Sequence, residues 1–263
     1  MNLELENTVA IVTGGAKGIG EAITRTLVQE GSKVAIFDKD QSASEQLVNE
    51  LGVDSILPVV IDLTDLNACK EAIAQTVKWS NNRLDFLINN AGINDSAGLN
   101  EGTHAFITSL ERNLHHVYAL THSSLPYLKS AKGSILNISS KVATTGQGNT
   151  SGYAAAKGAV NALTREWALE LAPAGVRVNA IAPAEVYTPL YESWLSKQEN
   201  PTKVKQEIES QVPLGQRMTT TQEIANQAVF LLSPKSSHTT GQIFYPDGGY
   251  THLDRACTKG LNF

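Results

Sequence analysis

The sequence predicts an α/β protein: one domain on a doubly wound, seven-stranded parallel sheet. Three observations carry that expectation. Short apolar runs lack in–out alternation, helical patterns alternate with them throughout, and a glycine-rich turn directly follows the first run. Strands buried on both faces read as unbroken apolar runs, and the intervening helices supply right-handed crossovers. A chain of 263 residues is long enough for one large core, and residues 1–263 are read as one domain.

Residues 9–12 form the first expected strand, and a helical pattern from about 19 to 29 follows, stopped by Gly31 as a C-terminal cap. Residues 34–37 make a second strand, 42–51 a polar helix, and 56–61 a third strand. Thr64-Asp65 caps a helix reaching Trp79, ahead of a fourth strand at 86–88. One long helix is expected over roughly 103–129, kinked or ended by Pro126. Residues 134–138, 176–181 and 242–244 complete the strands, with helices at 152–171 and 224–232. Residues 184–213 read as a mobile two-helix insertion over a substrate site.

Composition narrows the function. Lys plus Arg is 21 and Asp plus Glu is 26, a net charge of −5 with scattered basic residues, so no nucleic-acid footprint is expected. No apolar run approaches the roughly 18 residues of a membrane helix. The acidic start, residues 1–6, runs into a strand and is not read as a secretory leader. Two cysteines, Cys69 and Cys257, cannot make a disulfide framework, and a cytoplasmic protein is expected. His104, His115, His116 and His122 lie on the long helix without a metal-ligand spacing and are read as surface histidines; no metal is expected. His252 could instead reach a substrate pocket.

The first turn reads Thr13-Gly14-Gly15-Ala16-Lys17-Gly18-Ile19-Gly20. Glycines at 14, 18 and 20 suit a tight turn, a backbone approaching a pyrophosphate, and a helix N-terminus that supplies amide donors. Asp38 ends the second strand 18 residues after Gly20, where a carboxylate can accept from ribose hydroxyls and repel a 2′-phosphate. That favours NAD over NADP, although Lys17 and Lys39 pull the other way. Tyr153 and Lys157 stand four apart on a helix, hence on one face. A nearby cation favours the phenolate, and a phenolate could take a proton from a substrate hydroxyl. The alternative is a buried tyrosine beside an exposed lysine. Ser140 ends the fifth strand and Asn89-Asn90-Ala91-Gly92 follows the fourth, both at the edge where doubly wound folds bind ligands.

Together, Thr13 to Gly20, Asn89 to Gly92, Ser140 and the Tyr153/Lys157 pair resemble the short-chain dehydrogenase/reductase family over essentially the whole chain. The resemblance implies a Rossmann-type fold, with Tyr153 as acid/base and Lys157 lowering its pKa and holding the nicotinamide ribose. Ser140 would position the reacting oxygen, and Asn113 would kink the long helix and hold a proton-relay water. It further implies that the cofactor meets Gly14, Lys17, Gly18, Ile19 and Gly20, then Asp38, Asp62 with Leu63, and Asn90, Ala91 and Gly92. The segment 183–188 would touch the nicotinamide carboxamide through Pro183, Val186 and Thr188. One departure stands out: the family usually has Pro-Gly at 183–184, whereas this chain has Pro183-Ala184-Glu185.

Around the reacting carbon, Asn94, Gln147, Glu185, Tyr191 and Trp194 join Ser140 and Tyr153 as candidate substrate contacts. Carboxylate and amide groups suit hydroxyls, and flat aromatics suit a sugar's C–H face. The alternative is a solvated loop at 147–151 and a Trp194 packed within the insertion. The stretches 109–113 and 183–191 and the ending 247–255 are similar to a sugar-oxidising subgroup, the bacterial L-fucose dehydrogenases, which implies oxidation of an anomeric hydroxyl to a lactone. A 3-oxoacyl-(acyl-carrier-protein) reductase shares the core motifs, and a catalytically silent NAD-binding scaffold is the reading from another class. Leu163, Trp167 and Leu171 form an apolar stripe, part core, and the resemblance implies a homotetramer.

Overall fold

Pairing of the apolar runs sets every later position. The structure, a computed structural model, describes residues 1–253; the expectations involving Asp254, Arg255 and Cys257 lie outside the described residues. One sheet forms from β1 (Val9–Thr13), β2 (Lys33–Asp38), β3 (Ile56–Val60), β4 (Phe86–Asn89), β5 (Ser134–Ile138), β6 (Arg177–Ile181) and β7 (Ile243–Phe244). Its order is β3-β2-β1-β4-β5-β6-β7, with every neighbouring pair parallel. Every residue of β1, β4 and β5 is buried, which is why these strands show no alternation in sequence. The winding reverses between β1 and β4, and that reversal opens a crevice at their carboxyl ends.

The helices are α1 (Gly18–Gln29), α2 (Gln41–Leu51), α3 (Leu66–Trp79), α4 (Gly102–Leu110), α5 (His116–Ala131), α6 (Ser151–Leu171), α7 (Pro189–Leu195), α8 (Pro201–Glu209) and α9 (Thr221–Leu232). Ala10 and Val12 of β1 pack with α1 and α9 through Ile23, Leu27, Ile224 and Val229. Val9 and Ile11 point to the other face and pack with Ile73, Leu120, Val160 and Trp167. Each such side chain contributes roughly 1.5–3 kcal/mol on burial. Trp167 and Leu171, two members of the expected stripe, are spent in this core. Local signals behave as read: Asp65 accepts from the Asn67 and Ala68 amides, and Gly31, at φ 87°, ends α1.

The long central helix departs from expectation. Pro126 does not end it, because α5 runs on to Ala131. The break comes earlier, as a π-helical turn at Glu111–His115 between α4 and α5. An inserted residue shifts the phase of the following helix by about 100°. His104, His115 and His122 stay exposed, but His116 is turned fully inward, which corrects its surface reading. Its ring lies against the backbone of Ala91 and Glu111, and neither nitrogen makes a well-formed hydrogen bond. The two expected helices of the insertion are α7 and α8, and a parallel bridge between Val186 and Thr219 closes their base.

Burial, with Lys157 nearby, lowers the His116 pKa to about 4. The folded value lies below the unfolded value of about 6.5, so this stabilisation is complete above pH 6.5 and is lost as the pH falls towards 4. The loss amounts to about 3 kcal/mol at most. Thermal unfolding followed by circular dichroism at pH 7 and pH 4.5 should therefore show a smaller acid-induced drop in Tm for His116→Gln than for the wild type. Equal drops would contradict a neutral, buried His116.

Candidate active site

Between β1 and α1 the chain turns on glycines. Gly14 and Gly18 both sit at φ +59°, and a Cβ on Gly20 would stand 2.0 Å from the Gly14 carbonyl oxygen. No side chain caps α1, so its first amides and positive dipole end are left for an anion. The Thr13 hydroxyl oxygen accepts the amides of Asn90 (2.9 Å) and Ala91 (3.0 Å). The Asn90 side-chain amide in turn donates to the carbonyls of Thr13 (2.9 Å) and Gly14 (3.1 Å). Asn90 is thus a staple between β4 and the glycine turn.

Asp38 closes β2 with its carboxylate accepting from the amides of Ala16 and Asp40, at 3.0 Å each. Lys17 is held by Asp40, and Lys39 is exposed. Asp62 accepts from the Thr64 amide and hydroxyl, which hold its carboxyl below the usual range, and Leu63 beside it is half-buried. A dinucleotide fits this set. The bare helix N-terminus at Gly18, Ile19 and Gly20 suits a pyrophosphate, and the Asp38 carboxylate suits ribose hydroxyls.

Lys157, 3% exposed, donates from Nζ to the Ile138 carbonyl at 2.7 Å. Nζ stands 5.6 Å from the Tyr153 ring centroid, and the Ser140 hydroxyl hydrogen-bonds the Tyr153 phenol. A Cβ on Gly92 would come within 3.2 Å of Lys157 Nζ and 3.0 Å of Asn113 Oδ1, so that glycine keeps space beside both. Asn113 lies in the π-turn, fully buried; its Oδ1 accepts from the Ile93 amide at 2.7 Å and its Nδ2 donates to the Ser109 carbonyl at 2.9 Å. The four residues singled out in the sequence therefore form one connected group, Ser140 with Tyr153, Tyr153 beside Lys157, and Lys157 and Asn113 on either side of Gly92. Their electrostatics differ from the simple expectation. Burial pushes the Tyr153 phenol up to about 12, opposed by Ser140, and pushes the Lys157 ammonium down to about 8. In the chain alone, the lysine does not make the phenol acidic.

On the other side of the crevice, the Pro183 carbonyl accepts from the Lys141 amide at 2.9 Å. Val186 is buried, and Thr188 caps α7 by accepting from the Tyr191 amide at 3.2 Å. Thr188 also lies against Gly18, where an added Cβ would meet its side chain at 3.5 Å. The segment from 183 to 188 thus spans from the reacting centre to the glycine turn. Glu185 is not a free carboxylate: Lys141 pairs with one oxygen, and the Tyr191 hydroxyl donates to the other at 2.7 Å. Sequence reading passed over Lys141, although it directly follows Ser140 at a strand's carboxyl edge. Trp194 packs edge-on against Tyr191, with ring centroids 5.5 Å apart. Asn94 and Gln147 are exposed on the flanking loops, and Asn94 accepts from the Ser96 amide at 3.3 Å. His252 stacks edge-on with Tyr245 at 4.4 Å, and the Tyr245 hydroxyl hydrogen-bonds Thr144 at 2.8 Å. Among the described residues, no cluster of three or more His, Cys, Asp or Glu could hold a metal, and no helix is long and apolar enough to cross a membrane.

Comparison with known proteins identifies the family. A family model described as enoyl-(acyl carrier protein) reductase matches residues 14–251. The L-fucose dehydrogenase of Bos taurus is 38% identical over 251 residues, covering 95% of this chain and 91% of its own. The 3-oxoacyl-(acyl-carrier-protein) reductase FabG of Thermotoga maritima is 37% identical over 254 residues, covering 94% of this chain and 99% of its own. The crystal structure of Cj0485 dehydrogenase covers both chains completely at 46% identity, with a TM-score of 0.93. The sheet order, the glycine turn and this full-length similarity make the chain a member of the short-chain dehydrogenase/reductase family, oxidoreductases that act on CH–OH groups with NAD or NADP.

Proposed function

We propose that the protein oxidises the anomeric hydroxyl of L-fucose or a related aldose to the lactone, with NAD. The observation that carries this reading is the polar wall beside Ser140, where Glu185, Lys141 and Tyr191 meet in place of aliphatic side chains. Hydroxyl-rich substrates can use the further donors and acceptors of such groups, whereas an acyl chain offers them no hydrogen-bond partner. The similarity to an L-fucose dehydrogenase supports the same substrate class. The comparable similarity to an acyl-carrier-protein reductase makes thioester reduction the alternative to be tested.

In this reading Tyr153 takes the proton of the reacting hydroxyl and Ser140 holds the same oxygen by its hydrogen bond. Lys157 holds the nicotinamide ribose and keeps positive charge near the phenol. When bound, an oxidised nicotinamide would supply the hydride acceptor and a second positive charge, which favours the phenolate of Tyr153. The Asn113 side chain is bonded to Ile93 and Ser109, which fixes the π-turn against the loop after β4, and in this reading the π-turn at Asn113 holds a proton-relay water. The helices α7 and α8 serve as the substrate lid.

The preference for NAD rests on Asp38, fixed at the β2 edge, and on Asp40, which holds Lys17. A cytoplasmic homotetramer is part of the proposal, supported by the free buried thiol of Cys69 and by Tyr118 and Leu169 exposed on α5 and α6.

A panel of aldoses and acetoacetyl thioesters with NAD and NADP, read by nicotinamide absorbance, tests the substrate class. L-fucose or a close aldose should turn over with NAD; efficient thioester reduction with NADPH and no sugar turnover would reject the proposal. Tyr153→Phe should lower kcat by about 10²- to 10⁴-fold, with NADH affinity measured by fluorescence changing less than about threefold. Retained turnover would remove Tyr153 from the chemistry. Asp38→Ser should shift the NAD:NADP ratio of kcat/KM by about tenfold or more towards NADP, the equivalent of about 1.4 kcal/mol. An unchanged ratio would show that Asp38 does not face the ribose.

A further inference from the structure

The pair formed by Lys141 and Glu185 has side chains only 12% and 11% exposed. Burying an ion pair costs about as much in desolvation as it returns, and apolar side chains of similar size would stabilise the same place at least as well. Stability therefore does not account for it, and its surroundings point elsewhere. Lys141 directly follows Ser140, whose hydroxyl bonds Tyr153, and the Lys141 amide is tied to the Pro183 carbonyl at 2.9 Å. The two charges thus sit side by side on the loops after the neighbouring strands β5 and β6, next to the reacting centre.

The donor and acceptor inventory defines what this pair can read. The Lys141 ammonium has three N–H groups, one directed to Glu185, and lies 4.2 Å from the Tyr250 ring centroid. Each Glu185 oxygen accepts one hydrogen bond, from Lys141 or from Tyr191, and a carboxylate offers about four lone-pair sites. Spare donors and spare acceptors therefore lie side by side. Two neighbouring hydroxyls match them, because one can donate to Glu185 while the other accepts from Lys141. The pair carries no net charge, so it favours neither an anionic nor a cationic ligand. A ketone or thioester has no proton to give the carboxylate.

We infer that Lys141 and Glu185 form a vicinal-diol clamp that selects aldoses bearing neighbouring hydroxyls on the two carbons that follow the oxidised one, a role that rests on the sugar-oxidising reading above. Tyr191 is a positioning residue within it: its hydroxyl donates to the Glu185 carboxylate while its ring packs edge-on against Trp194. The clamp is a specificity device, separate from the Tyr153 proton step.

The test uses the purified full-length protein with NAD and compares L-fucose with 2-deoxy-L-fucose in the wild type, Glu185→Gln, Lys141→Met and the double variant. In the wild type, removal of the 2-hydroxyl should lower kcat/KM by about 10- to 100-fold, mainly through KM. In the double variant that discrimination should shrink to less than about threefold while NADH affinity stays at the wild-type value, because the clamp reads the sugar only. Glu185→Gln keeps the shape and the Tyr191 contact, so it carries the comparison even if a variant at Lys141 does not fold. Lys141→Arg should restore part of the discrimination, which a purely structural strut between the loops would not require. Undiminished discrimination in Glu185→Gln and in the double variant would overturn the clamp alone. A wild type that oxidises no aldose would overturn both the clamp and the sugar reading.

Discussion

A buried ammonium organises this crevice. Lys157 is 3% exposed, and the Ile138 carbonyl accepts one of its three protons at 2.7 Å. A cation taken out of water is costly unless its donors are satisfied, and burial alone presses this one down to about 8. The neighbouring structure is arranged around that cost. The carboxyl end of β5 supplies the carbonyl, Gly92 leaves room beside Nζ, and α6 places Tyr153 one turn away on the same face. In the proposed function, the remaining donors serve the two hydroxyls of the nicotinamide ribose.

The same economy of buried polar groups runs along the sheet edge. Thr13, Asn90 and the Gly14 carbonyl close a ring of hydrogen bonds between β1, β4 and the glycine turn. Asn89 donates to Asn137 at 2.9 Å, and Asn137 donates to Thr164 at 2.9 Å, which ties β4 through β5 to α6. These ladders make the crevice rigid without filling it, and rigidity is what lets a phenol and an amine hold their relation through a reaction. The wall at Glu185 follows the same logic with charges in place of amides.

The fold was legible because each of its signals is local. Unbroken apolar runs mark strands buried on both faces, Asp65 and Gly31 cap where their chemistry says they should, and the glycine turn is dictated by backbone geometry. Ser140, Tyr153 and Lys157 could be singled out because they sit at a strand edge or on one helix face, whereas Asn113, in the π-turn, came only from the family resemblance. What escaped was of a different kind. The π-turn at Glu111–His115 leaves no periodic trace strong enough to displace Pro126 as the expected break, and without the turn His116 reads as a surface residue. Glu185 and Lys141 lie 44 positions apart, so their pairing exists only once β5 and β6 are neighbours. Asn90 carries the right residue type in the right place, but only its hydrogen bonds reveal that the side chain is spent on the turn.

The claim at the centre is that the Lys157 charge is kept for the cofactor at the expense of stability. Thermal unfolding of wild type and Lys157→Met, each with and without NAD, addresses it directly. At about 100 times its dissociation constant, NAD should stabilise the wild type by about 2.7 kcal/mol. Lys157→Met should unfold at or above the temperature of the unliganded wild type and gain little from NAD at the same concentration. A Lys157→Met protein stabilised by NAD as strongly as the wild type would contradict the account.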